Sequence, residues 1–198
     1  MANDSTTLGF LTPISVLPIN DRPLEDIFSV VLAGITGLPP NMVRPRFQPT
    51  VPNQPGYEEN WVAFGVTVTE QDVYPYHRHV SSLESPQGAT IVERDEYMDV
   101  LCSFYGSNNH EYMARWREGL AIEQNRYTMG DLGIKLVAVG KNPVSVPALF
   151  KNTWTRRVDL SCQFSRRVSV TYGIRSIASA AVELHTEELP VQTIIVNQ

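Results

Sequence analysis

Two histidines in the stretch YPYHRHV are candidate ligands for a metal ion. His77 and His79 lie two positions apart, which on an extended chain places both imidazoles on one side. A metal site would need a third and a fourth ligand at a regular spacing, and His110 and His185 stand far off without a carboxylate pattern. We therefore predict no metal and no cofactor, and we interpret His77 and His79 as residues of a polar loop that contact a partner.

The acidic run VERDEYMD could in principle supply an acid and base pair. Glu93 and Asp95 share one face of a strand, and Asp99 lies further along that face. The alternative, a solvated acidic face, is the commoner origin of such a run. The chain also lacks the G-x-S-x-G, G-x-G-x-x-G, P-loop and H-E-x-x-H motifs. We predict that the protein is not an enzyme.

Two arginine pairs, Arg156 with Arg157 and Arg166 with Arg167, flank an alternating stretch that begins near Trp154. Arginines beside an aromatic ring could bind nucleic acid, but such surfaces usually carry net positive charge. This chain has 16 basic and 21 acidic residues, a net charge of -5. We interpret the four arginines as partners for acidic groups on a neighbouring subunit, with plain solvated surface as the alternative.

The composition predicts a soluble chain with one good core. It has 198 residues, 42% of them hydrophobic and 19% charged, which is ordinary for a globular protein. The first thirty residues lack the pattern of a secretion signal, and no apolar run reaches the roughly 18 residues that a membrane span needs. Cys102 and Cys162 lie in apolar stretches without metal spacing, so we expect buried free thiols.

Apolar periodicity predicts two helices. The first spans about 23–36, where apolar residues recur at helical spacing after Pro23, and Gly37 provides a stop. The second spans about 108–124, where Asn108 and Glu111 resemble a capping box and Gly130 and Gly133 break the helical pattern.

Strands are predicted from alternation and from β-branched residues. They cover NWVAFGVTVTEQDV, ATIVERDEYMDVLCSFYG, IKLVAVG, a long run over 157–172, IASAAVELH and the tail. Arg166 falls on the apolar side of the long run and interrupts its alternation, so we expect either a bend or bulge there or a strand that protrudes from the domain at one end. The proline-containing segments 39–56, 75–88 and the one after Gly140 are predicted as a connector and two loops.

These elements predict an α+β fold, with a mainly antiparallel sheet, two helices packed on it, and extended N- and C-terminal arms. We divide the chain into an arm over 1–20, one domain over 21–185 that contains the connector 39–56, and an arm or strand over 186–198.

The C-terminal stretch HTEELPVQTIIVNQ is apolar and β-branched at Leu189, Val191, Ile194 and Val196. Such a segment suits β-augmentation, in which an added strand binds through main-chain hydrogen bonds. We predict that the strand 189–196 pairs with a different polypeptide; the alternative is that it completes the sheet of its own subunit.

Four blocks in order carry a resemblance to a known family: QPTVPNQPGYEENWVAFGVT, ERDEYMDVLCSFYG, REGLAIEQNRYTMGDLG and VPALFKNTWTRRVDLSCQF. Over about 48–185 the chain resembles the neck or tail terminator proteins of tailed bacteriophages. The resemblance implies a structural protein of the virion, assembled in the host cytoplasm, in a ring of identical subunits, usually six. Its partners would be the tail tube, sheath proteins and the head-tail connector, with DNA as transient cargo and no membrane.

The same resemblance suggests a place for the acidic run, at the lumen or rim of the ring, through Glu93, Asp95, Glu96 and Asp99. Like charge would keep passing DNA from sticking. Two alternatives stay open: another head-tail completion or tail-tube protein, and a non-viral binding or adaptor module.

Overall fold

The computed structural model describes residues 9–48, 53–81, 87–150, 152–175, 179–186 and 189–197. In chain order the elements are α1 (Asp21–Thr36), a 3-10 turn (Pro40–Met42), β1 (Val43–Pro45), β2 (Trp61–Gln71), β3 (Tyr76–Val80), β4 (Gln87–Tyr105), α2 (Asn109–Gly119), α3 (Glu123–Asp131), β5 (Lys135–Val139), β6 (Val144–Phe150), β7 (Thr153–Arg175), β8 (Ser179–Thr186) and β9 (Leu189–Asn197).

Within these described ranges, seven strands form one sheet. Its main order is β1-β2-β4-β7-β5, while β3 also pairs with β4 and β6 with β7. The β1–β2 pair is parallel, and the pairs β2–β4, β3–β4, β5–β7 and β6–β7 are antiparallel. Strands β8 and β9 form a separate two-stranded sheet. The prediction of mixed helices and a mainly antiparallel sheet is confirmed.

Helix α1 confirms the first predicted helix and begins two residues before the predicted start. Phe28 on its buried face makes an edge contact with Phe164 of β7, with ring centroids 5.1 Å apart. The helix ends at Gly37, which adopts the left-handed conformation at φ 75° and donates its N–H to the Ala33 carbonyl. A glycine is favoured there because this conformation costs other residues free energy.

The second predicted helix is wrong in its extent, because the chain forms two helices in its place. Helix α2 ends at Gly119, α3 follows after a short turn, and Gly130 lies inside α3. Gly119 leaves no room for a Cβ beside Ile35 of α1, and its carbonyl accepts the side-chain amide of Asn125 at 2.9 Å. The close approach of α1 thus requires glycine at the end of α2, and helical periodicity does not reveal this contact.

Three short strands lie in segments that we predicted as connector or loop. Strand β1 lies in the proline-rich connector and pairs parallel with β2, with Val43 buried. Strand β3 replaces the loop before Gly88, and β6 replaces the loop before Thr153. Pro147 is tolerated in β6 because that strand has its described partner, β7, on one side only. These pairings are made with distant residues, so local composition did not reveal them.

The described chain divides into two units, and the larger consists of Ile19–Val73 and Asp95–Arg167. Its core is formed where the apolar alternation of β4 and β7 meets the helices, around residues such as Phe28, Phe64, Phe104, Trp116 and Phe164. Alternate residues of β7 from Val158 to Phe164 are buried, as the sequence pattern predicted.

Both cysteines belong to this core and are free thiols, as predicted. Cys102 lies on β4 and Cys162 on the neighbouring β7. Burial raises the pKa of the Cys162 thiol to about 11 and the pKa of Cys102 well above its ordinary value. Because the thiolate is the reactive form, these residues are packing groups.

The other unit consists of Met1–Pro18, Tyr74–Arg94 and Val168–Gln198. Its N-terminal segment runs beside β7, where the Ile14 N–H donates to the Thr171 carbonyl at 2.8 Å and the Thr171 N–H donates to Ser15 Oγ at 3.0 Å. Phe10 and Val16 of this segment are 95% and 91% exposed. Strand β7 continues without interruption through Arg166.

Candidate functional site

The arginine that breaks the alternation of β7 is buried against a carboxylate of β4. The side chains of Arg166 and Glu96 are each 7% exposed, and Nε and Nη2 of the arginine both lie 2.7 Å from Glu96 Oε2. The other carboxylate oxygen accepts the Gln71 amide of β2 at 2.7 Å. Both charges are therefore paired and hydrogen-bonded, which is the condition for burying them.

Arg166 also organises the start of α1. Its guanidinium donates to the Ile19 carbonyl and to Asn20 Oδ1. Asn20 stands at the N-cap position but makes no side-chain capping bond, and Asp21 adopts a left-handed φ of 52°. Because that conformation is unfavourable for a non-glycine residue, the contacts of Arg166 help to hold it in place.

An open groove of about 890 Å³ lies beside this pair. Its lining includes the start of α1, Phe47, Val66, Thr69, Gln71 and Arg166. Burial raises the pKa of Glu25, which also lines it, above the ordinary value. Arginine cannot act as a base, and the charge of Arg166 is already neutralised by Glu96. The arrangement therefore fixes β2, β4, β7 and α1 to one another.

The next residue on β7 makes the second ion pair of this region. Nε and Nη2 of Arg167 lie 2.8 and 2.9 Å from the two carboxylate oxygens of Asp95. This bidentate pair is exposed, at 66% and 36% of the two side chains. The hydrogen bond from Arg167 holds the pKa of Asp95 below its ordinary value.

A polar network that the sequence did not reveal crosses the sheet at the start of β7. Arg157 donates to Asp159 at 2.9 Å, and the same carboxylate accepts the hydroxyl of Ser103, which in turn accepts from Arg46. Burial lowers the pKa of Arg157, but the interactions with Asp159 and Tyr105 outweigh burial, so the pKa is raised above its ordinary value. The alternation of side chains along β4 and β7 is the sequence pattern from which this network could have been predicted.

Three of the four arginines that we predicted to contact a neighbouring subunit thus bind carboxylates of their own chain. Arg156 is exposed and lies on the other face of β7 from Arg157. Glu96, predicted at a lumen or rim, is instead buried, because β7 places Arg166 beside it. Glu93 and Asp99 are half-buried, and the place of Glu93, Asp95 and Asp99 in an assembly stays a prediction.

The two histidines lie on β3 and not in a loop, because this segment pairs with β4. His79 Nδ1 is 2.8 Å from Thr90 Oγ1, and both His77 and His79 are exposed. Among the residues that the structure describes, no three His, Cys, Asp or Glu side chains form a group that could hold a metal ion. Contact of His77 and His79 with a partner stays a prediction.

The C-terminal strand has a partner in its own chain. β9 pairs antiparallel with β8, in a register that joins Ser179 to Asn197 and Thr186 to Leu189. In the described ranges β9 has no second strand neighbour. Pairing with a different polypeptide would therefore use the other edge of this strand.

The family model described as phage neck terminator protein matches residues 22–188. No curated protein matches the chain. None of the helices in the described ranges is long and apolar enough to cross a membrane. The matched segment includes the ion pairs of β4 and β7 and covers most of the sequence, so the chain belongs to the phage neck terminator protein family.

Proposed function

We propose that this protein is a structural component of the phage virion that forms a ring of six identical subunits at the end of the tail tube and joins the tube to the head connector. The observation that carries the proposal is membership of the neck terminator family over residues 22–188. In this role the protein has no catalytic task and no cofactor, and it is assembled in the host cytoplasm.

Exposed edges and apolar side chains support an assembly role. The N-terminal segment keeps its backbone hydrogen-bonded to β7 while Phe10, Val16 and Leu17 are 95%, 91% and 62% exposed. All five residues of β3, including His77 and His79, are exposed. Exposed apolar residues beside unpaired strand edges are typical of surfaces that another chain covers.

We assign contacts with neighbouring polypeptides to both ends of the chain. The division into arms over 1–20 and 186–198 and a domain over 21–185 belongs to this proposal. The tail, through Leu189, Val191, Ile194 and Val196, adds its second edge to a neighbouring subunit or to a sheath or tube protein. DNA passes the ring as transient cargo, and Glu93, Asp95 and Asp99 on alternate positions of β4 supply a like charge at the lumen or rim.

The mass of the purified chain in solution tests the ring directly. Light scattering, followed by electron microscopy of the same peak, should show a closed ring with the mass of six subunits. A chain that stays monomeric even after isolated tail tubes are added would contradict the proposal. A ring that binds heads but never tail tubes would favour a different head-tail completion protein.

Deletion of residues 186–198 tests the role of the tail. We expect the melting temperature of the remaining subunit to stay unchanged while ring or neck assembly fails. A lower melting temperature with normal assembly would show that the segment serves only its own subunit, as it would in an adaptor module.

A further inference from the structure

A second groove, of about 500 Å³, lies at the start of α2 within the larger unit. Its lining residues include Tyr57, Asn109, His110, Pro147, Trp154 and Arg156, and none of its lining residues is acidic. We call it the α2 groove. It does not include the Arg166–Glu96 pair, and Arg157 of the polar network described above also lines it.

The α2 groove contains a buried side-chain donor that has no partner in the described part of the chain, beside the first N–H groups of a helix. Asn109 is only 2% exposed, yet its Nδ2 has no partner there. The first N–H groups of α2, at Asn109 and His110, lack intrahelical acceptors because they begin the helix. Arg156 adds a full positive charge nearby. A buried donor without an acceptor is costly, so this arrangement favours a carboxylate supplied from outside.

The walls of the α2 groove favour an occupant that also carries an aromatic or apolar group. Trp154 is 65% exposed and Tyr57 is 58% exposed. Tryptophan, tyrosine and arginine are the residue types that contribute most to the binding energy of protein interfaces. The groove thus suits a protein surface that combines carboxylates with an aromatic ring.

Helix α3 of the same chain has such a surface. Of its nine residues only Met129 is buried, so its own subunit hardly covers it. Glu123, Tyr127 and Asp131 recur at i, i+4 and i+8 and therefore form one stripe. The Tyr127 hydroxyl donates to Glu123 Oε1 at 2.9 Å, and its side chain is 69% exposed. We call these three residues the α3 stripe.

We propose that the α3 stripe of one subunit binds in the α2 groove of the next. A carboxylate of the stripe then accepts from Asn109 and the start of α2 and pairs with Arg156, while Tyr127 packs on Trp154. The contact joins two different surfaces of the chain, so its repetition generates a ring if the rotation closes. This inference rests on the proposed ring and names the surfaces that hold it together.

Charge reversal with rescue tests the contact. Arg156→Glu should raise the subunit concentration at half-assembly by about tenfold or more, because two carboxylates would then face each other. Adding Glu123→Arg or Asp131→Arg to the same chain should restore assembly. The control Lys141→Glu makes the same charge change at an exposed residue that is not among those lining the groove, and should leave assembly unchanged.

The variant Asn109→Leu tests whether Asn109 contacts the neighbouring subunit or only packs within its own subunit. Removal of a buried donor without a partner should maintain or raise the melting temperature of the isolated subunit, whereas assembly should weaken severalfold. A residue that only packs its own subunit would lower the melting temperature instead. That result would overturn the assignment of Asn109.

The failures of the two proposals are distinguishable. A wild-type ring that Arg156→Glu leaves intact, or that neither second substitution rescues, would overturn the α3 contact and leave the ring standing. A wild-type chain that stays monomeric at every concentration, with and without tail tubes, would overturn both.

Discussion

Two ion pairs at consecutive positions of β7 differ in almost every physical respect. Arg166 and Glu96 are buried at 7% exposure each, and Arg167 and Asp95 are exposed at 66% and 36%. Because successive residues of a strand point to opposite faces, one pair enters the core side and the other stays in water. The same two residue types are thus essential to the stability of the fold on one face of β7 and contribute little to it on the other.

A charge on an apolar face therefore need not mark a functional surface. Arg166 has its acid on β4, 70 positions earlier in the chain, and its remaining donors contact Ile19 and Asn20. Burying the two charges costs free energy because both lose water. Removing one partner costs more, since the other would be an unpaired buried charge. The exposed pair loses water only partly, so solvent and salt screen it.

The largest expected effect comes from breaking the buried pair. Glu96→Ala should lower the free energy of unfolding by about 3–5 kcal/mol, because it leaves the Arg166 guanidinium buried without a counter-charge. Urea unfolding followed by circular dichroism measures this loss. The matched control is Asp95→Ala on the adjacent position, with an expected loss of about 1 kcal/mol or less. Equal losses for the two variants would contradict the comparison.

Replacing both buried charges should be far milder than removing one. Glu96→Leu combined with Arg166→Met should recover about 2 kcal/mol or more of the loss caused by Glu96→Ala, since no unpaired charge remains. Amide exchange in the first turn of α1 should nevertheless become faster, because Ile19 and Asn20 lose the guanidinium that holds them. Unchanged exchange there would show that Arg166 does not organise the start of the helix.

The exposed pair should contribute little and respond to salt. Arg167→Ala should cost about 0.2–1 kcal/mol of unfolding free energy at 0.15 M salt. Most of this difference should vanish at 1 M salt, where the Debye length falls to about 3 Å. The Glu96→Ala difference measured in the same two buffers should barely change, because its pair is buried. A salt-independent loss in Arg167→Ala would indicate lost packing of the side chain.

The smallest effect is the pH dependence of the exposed acid. The pKa of Asp95 is lowered by its hydrogen bond with Arg167, so the stability it adds is present above its ordinary value of 3.8 and is lost as the pH falls through the lowered value. The difference in unfolding free energy between wild type and Asp95→Asn should therefore shrink only in acid.

The variant Glu25→Gln should change stability in the opposite direction. Burial raises the pKa of Glu25, so this variant should be more stable than wild type at pH 7.

Much of the fold follows from local pattern. The helical spacing at 23–36, the alternation at 157–172 and the burial of both cysteines each depend on residues within one element, and each was predictable. The four family blocks were equally visible, and the family match over residues 22–188 confirms them. The fault at Arg166 was visible as a break in the pattern, but its meaning was not.

The long elements and their buried faces follow from the sequence alone, because periodicity is a local property of a segment. The four sequence blocks likewise identify the family. Tertiary structure decided which elements meet. It paired Arg166 with Glu96 of β4, packed Gly119 of α2 against Ile35 of α1, and placed connector and loop segments in the strands β1, β3 and β6. Those outcomes depend on contacts between residues far apart in the chain, where strand pairing and desolvation outweigh the local preference of the segment.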